Sequence, residues 1–239
     1  MPDSAASLPD RGLLAQALRL HQAGRWPEAE DTYARYLAAH PDVPTALNNA
    51  ATLALAMGRP PLAVARLERA VAIDPDGPIG RHNLGFALIR ANRPLEAMFH
   101  LERAVALDPG YASAWNNLGI ALAHAGNRPA AIRAFERALA LDGDFADAAV
   151  NLGNMHNRSG HNARARPSFE RALAAKPDHP GAIVGLSFAQ ALDGELDPAR
   201  AAMEARVRPA PAYAPFWQTL AALRHWSGEL DRAEDAYKQ

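Results

Sequence analysis

Apolar and polar positions follow one another along this chain at the three-and-four spacing of a helix, in segments of about a dozen residues separated by short turns containing Gly, Asn or Pro. One such segment carries Trp115, Leu118, Gly119 and Leu122, and the next carries Ala131, Phe135 and Ala138. Each predicts an amphipathic helix with a single apolar face. The pattern repeats: Gly24, Gly58, Asn92, Gly126, Gly160, Gly194 and Gly228 fall at one phase of a 34-residue period. A second column reads Ala29, Ala63, Ala97, Ala131, Ala165, Ala199 and Ala233, and a third reads Pro41, Pro75, Pro109, Gly143, Pro177 and Pro211.

Each column has a physical reading. Gly, and less readily Asn, tolerates the left-handed backbone that ends a helix, so the first column predicts the turn between two helices. Five residues later, Ala lies on the second helix, where a methyl group permits close approach of two backbones without a void. Pro lacks an amide hydrogen and collides with the preceding turn, so the third column stops the second helix. Each period is therefore a helical hairpin. A lone hairpin cannot bury its apolar face, so neighbouring hairpins must stack into a continuous core.

Taken together, Trp115, Leu118, Gly119, Ala131, Phe135 and Ala138 resemble the tetratricopeptide repeat. Pentatricopeptide and other helical repeats of similar period fit the Gly, Ala and Pro columns less well. The resemblance implies an all-α, right-handed superhelical solenoid covering nearly the whole chain. The phasing predicts a flexible tail over 1–9, full repeats at 10–43, 44–77, 78–111, 112–145, 146–179 and 180–213, and a truncated repeat at 214–239. Repeat one has Gln16 and Ala17 where Leu and Gly are usual, and repeat six has Arg206 where a small residue belongs, which predicts looser packing at both. The sequence ends inside the second helix of repeat seven, before any polar helix that would cover the last apolar face. That ending leads us to expect a truncated chain or a further domain downstream.

Composition narrows the chemistry. Apolar residues make up 49% of the chain, and the formal net charge is −1, which gives no global attraction to nucleic acid or to anionic membrane. The absence of cysteine excludes disulfides and thiolate chemistry. The N-terminal MPDSAASLPDRG lacks the basic and then apolar segments of an export signal, and charges interrupt every helix-sized window before it reaches roughly the 20 apolar residues that span a bilayer. We expect a cytoplasmic chain with no membrane insertion. No phosphate-binding Gly-rich loop, HExxH or nucleophile elbow is present, so the expectation is of no catalytic residue, no metal and no cofactor. Glu96 with His100 reads as an exposed pair on an outer helix, and His156 with His161 lacks a third ligand.

The resemblance also places the first helix of each repeat on the inner, concave surface. Counted from the start of each repeat, position six gives Asn49, Asn83, Asn117 and Asn151, a series that Gly185 and Thr219 then break. Asn has little helix preference, so four at one mid-helix position call for a reason. A primary amide both donates and accepts, which matches the alternating N–H and C=O groups of an extended peptide. The row is similar to the asparagine ladder of the O-linked N-acetylglucosamine transferase repeats, where the resemblance implies contact with extended substrate protein. The alternative is that these amides tie adjacent helices together, and one amide has capacity for both roles.

Neighbouring columns extend the candidate surface. Position five supplies Asn48, His82, Asn116 and Gln218, while position nine supplies Thr52, Phe86, Ile120, Asn154 and Phe188. Position thirteen gives Arg90, His124 and Arg158, a short basic stripe suited to carboxylates. Phe86 and Phe188 read either as anchors or as side chains half-buried against the next repeat, and Trp115 and Trp217 as core. The function expected is a scaffold that binds a protein or extended peptide in its groove. The other class is the substrate-recognition arm of a larger enzyme of glycosyltransferase or sulfotransferase type, and a third is self-association through uncapped ends.

Overall fold

The computed structural model describes residues 8–207 and 213–237, all of whose regular structure is helical. Two compact units are present, one ending at Asn127 and the other beginning at Arg128. The first contains α1 (Leu8–Gln22), α2 (Trp26–Ala39), α3 (Pro44–Ala56), α4 (Pro60–Ile73), α5 (Pro78–Arg90), α6 (Pro94–Leu107) and α7 (Ala112–His124). The second contains α8 (Arg128–Leu141), α9 (Ala146–Arg158), α10 (Asn162–Ala175), α11 (Pro180–Leu192), α12 (Leu196–Val207), α13 (Ala214–Trp226) and α14 (Leu230–Tyr237). From α3 onward the odd-numbered helices start at the first residue of each 34-residue period, whereas α1 starts at Leu8, two residues ahead of the expected boundary.

The turn column behaves as its residue types require. Gly24, Gly58, Gly126, Gly160, Gly194 and Gly228 all have φ between 69° and 88°, and Asn92, the one non-glycine residue in the column, has φ 58°. At the end of α3 the Gly58 N–H donates to the Leu55 carbonyl at 3.0 Å and the Arg59 N–H to the Ala54 carbonyl at 2.8 Å. Both carbonyls would otherwise be orphans of the helix end. A Cβ at Gly58 meets nothing within 4 Å, so the glycine is required by its backbone angle alone. Replacing Gly58 with Ala is expected to cost about 1–2 kcal/mol in urea unfolding, while Asn92→Gly leaves stability unchanged or slightly higher.

The other two columns are equally direct. Ala29, Ala63, Ala97, Ala131, Ala165 and Ala199 are fully buried, at 0% exposure. Helices α2, α4, α6 and α10 each end two residues before Pro41, Pro75, Pro109 and Pro177, and α8 ends two residues before Gly143; Pro211 lies outside the described residues. The first unit has a core cluster of Ala17, Ala29, Tyr33, Ala50 and Leu53. In the second, Ile183, Met203, Phe216, Leu220 and Leu223 form a comparable cluster. Complete burial of a Leu such as Leu53 or Leu223 stabilises by about 1.5–3 kcal/mol.

Four residues singled out in the sequence pack as follows. Ala17 is fully buried in its cluster, where a methyl group is small enough for the helix crossing. Arg206 is exposed and lies 3.4 Å from Asp178, which gives the guanidinium a place outside the core. Trp115 is half-buried, and its indole N–H donates to the Pro109 carbonyl at 3.1 Å, fastening the preceding turn. Trp217 is also half-buried, against the second unit's cluster.

Candidate functional site

The first-helix face of the first unit is built around amides and one imidazole. On α3, the Asn48 side-chain N–H donates to the Pro44 carbonyl at 2.9 Å, which leaves its oxygen free to accept from Asn83 Nδ2 on α5 at 3.0 Å. One repeat along, Asn117 Nδ2 on α7 lies 2.8 Å from Nε2 of His82 on α5. A position-five side chain is thus joined to the position-six Asn of the next repeat, 35 residues on. This offset is visible in the sequence, where Asn48 precedes Asn83 and His82 precedes Asn117 by that interval.

The imidazole is the hub of this arrangement. An amide nitrogen can only donate, so Nε2 of His82 presents its lone pair to Asn117 and the ring proton belongs on Nδ1. That nitrogen faces Asn83 Oδ1 at 3.2 Å and the Tyr111 hydroxyl at 3.0 Å. The Tyr111 ring also packs against the imidazole, with centroids 4.7 Å apart. Burial lowers the His82 pKa, partly opposed by the bond to Asn83, and keeps the ring neutral. Tyr111, absent from the sequence-derived site, is brought in by the turn that Pro109 initiates.

Not every candidate amide is committed. Asn49 is half-buried, its side chain makes no hydrogen bond among the described residues, and it lines a cavity of about 390 Å³ with Asn48, Asn83, Thr45 and Ile79. Asn83 is also in the wall of a second cavity, of about 370 Å³, lined by Thr52, Leu55, Ala56, Leu67, Phe86 and Arg90. The structure therefore brings Asn48, Asn49, Asn83, Phe86 and Arg90 together on α3 and α5. Asn116 and Asn117, on α7, are buried, and His124 is exposed at the end of that helix.

In the second unit, Asn151, Asn154 and Arg158 lie on α9, with Asn154 and Arg158 exposed. Phe188 on α11 packs edge-on against Trp226 of α13, with ring centroids 5.9 Å apart, so this phenylalanine has an aromatic neighbour on the same face. The end of the Asn series has a steric cause. Phe169 of α10 lies under both Gly153 and Gly185: a Cβ at Gly153 would fall 2.7 Å from the ring, and one at Gly185 closer still. An Asn at 185 has no room.

The remaining candidates do not assemble a metal centre or an acid–base pair. Glu96 bonds with Arg93, at 2.6 and 2.7 Å, instead of with His100, one turn along. His156 and His161 stack edge-on with centroids 6.3 Å apart, and no group of three or more potential metal ligands occurs among the described residues. No helix among the described residues is long and apolar enough to cross a membrane.

Comparison with known proteins accords with this architecture. Two family models described as tetratricopeptide repeat match the chain, one at residues 14–78 and 125–180, the other at 88–150 and 156–223. The crystal structure of MamA is 25% identical with TM-score 0.61, covering 67% of this chain and 94% of that one. PilW, a type IV pilus biogenesis factor, is 21% identical with TM-score 0.80, covering 91% and 99%. YrrB, described as a TPR protein with an unusual peptide-binding site, is 23% identical with TM-score 0.59, covering 76% and 92%. No curated protein matches the chain.

Proposed function

Because the chain belongs to the tetratricopeptide repeat family, we propose that it is a non-catalytic scaffold that holds an extended peptide or protein segment along its first-helix face. Side-chain amides read the segment's backbone. The observation that carries this reading is Asn49: a half-buried amide without an internal partner, facing a cavity. Such a group has both a donor and an acceptor to offer to a peptide unit. Asn83 retains a second N–H after bonding to Asn48, whereas Asn117 serves first as a tie to His82. Arg90 and His124 extend the proposed surface in the first unit; in the second unit, Asn151, Asn154 and Arg158 are the candidate contacts on α9. The likeness to YrrB supports the fold, so the proposal rests on the surface itself.

Asn49→Ala is the discriminating variant, since it removes no internal hydrogen bond among the described residues. Peptides selected from a random library displayed on phage should bind this variant about tenfold more weakly than the wild type, equivalent to about 1.4 kcal/mol. The circular dichroism spectrum and unfolding midpoint should not change. Selected peptides that bind Asn49→Ala and wild type equally would overturn the amide-reading role. Changing all four asparagines to Ala should abolish binding, but loses the ties of Asn83 and Asn117 as well.

A further inference from the structure

The two cavities on α3 and α5 differ in chemistry, and the difference specifies a ligand. The cavity at the C-terminal ends of these helices has apolar walls from Leu55, Ala56, Leu67 and Phe86, with Arg90 at its rim. Arg90 is exposed and has no carboxylate partner among the described residues, in contrast with Arg66, which is engaged by Glu30 and by the Ala50 carbonyl. The cavity at the N-terminal ends contains Asp74, exposed and likewise without a cationic partner among the described residues, beside Ile79 and the free amide of Asn49. Asn83 lines both cavities. One continuous seam thus has a cation over an apolar hole at one end, an anion at the other, and amides between.

We propose that this seam selects an extended segment in which an apolar side chain next to Asp or Glu docks at the Phe86 and Arg90 end, while Lys or Arg meets Asp74 at the other. The proposal rests on the backbone-reading role assigned to this face and adds the sequence preference to it. Length supports the match. The 13 residues of α5 rise about 20 Å at 1.5 Å each, which an extended chain covers in about six residues. A planar guanidinium pairs with a carboxylate through two parallel hydrogen bonds, and beside an apolar wall that pair is less screened than in open solvent. Phe86 is half-buried, so its outer portion remains available to the incoming side chain.

The test uses a random heptapeptide library displayed on phage, selected on the full chain, with individual synthetic peptides then measured by fluorescence anisotropy. Selected peptides should share an apolar–acidic pair at one end and a basic residue near the other. Arg90→Glu should weaken them more than tenfold, and exchanging the peptide's acidic residue for Lys should restore binding to Arg90→Glu to within about threefold. Asp74→Lys should produce the mirror result at the basic residue. Both positions are exposed, so unchanged circular dichroism and unfolding midpoint will verify the fold. Peptides sensitive to Asn49→Ala but indifferent to Arg90→Glu would overturn the charge preference and leave the amide-reading role standing. Peptides indifferent to both substitutions, or no enrichment on the wild-type chain, would overturn both.

Discussion

Replacing Phe169 with Ala should destabilise the second unit by about 3–5 kcal/mol, the range for deleting a fully buried aromatic side chain. Phe169 has 0% exposure, and its ring is held between the backbones of α9 and α11 at Gly153 and Gly185. Both helices also pack against α10 elsewhere along its length, so collapse into the void is incomplete and the cavity term adds to the lost transfer energy. The reverse change tests the same fit: Gly185→Ala puts a methyl group into the ring and should cost about 1–3 kcal/mol through overpacking. Stacked repeats can unfold in parts, so hydrogen exchange resolved by segment is the appropriate measurement. Protection should fall first in α9, α10 and α11, with α3 to α5 little affected. Equal loss in all helices would contradict a local effect of the Phe169 cavity.

Loss of the His82 imidazole should cost about 1–3 kcal/mol for each well-buried polar group left without a partner, and Asn117 is the foremost of these. The same network makes stability depend on pH. Burial lowers the folded-state pKa of His82, and of His100 and His156, where burial is again the largest cause. The unfolded chain therefore takes up protons at a higher pH than the folded one. The stabilisation is complete above the ordinary histidine pKa of about 6.5 and is lost as pH falls below it toward the depressed folded-state values. Urea midpoints should accordingly fall between pH 7.5 and pH 5.5. In His82→Ala the midpoint at pH 7.5 should be lower and its further decline with acid shallower, because one of the titrating groups has gone. A wild-type midpoint independent of pH over that range would contradict the neutral-imidazole assignment.

Much of this fold is legible in the sequence because its determinants are local and recur. A left-handed turn needs Gly or Asn, a close helix crossing needs Ala, and a helix stop favours Pro; the 34-residue period repeats each requirement until chance is excluded. The Asn column was equally visible, as was the polar face on which it lies. Its division of labour was not. Asn49, Asn83 and Asn117 are identical in type and phase, yet the side chains of Asn83 and Asn117 bond to the first helix of the preceding repeat, while that of Asn49 has no such bond among the described residues. What separates them is the residue at position five one repeat earlier, a pairing that only adjacent helices in space can make.

The sequence by itself determined the repeat, its turns, and the face on which unusual polar side chains gather. Tertiary structure decided which of those side chains are spent internally, that Tyr111 joins His82, and that Phe169 forbids an amide at Gly185. It also decided that Arg90 lines an apolar cavity with no acid among the described residues to neutralise it. The physical reason is one of range. Backbone angles and helix periodicity follow from residues a few positions apart, whereas hydrogen-bond satisfaction and packing depend on partners some 35 residues away, brought within 3 Å by stacking.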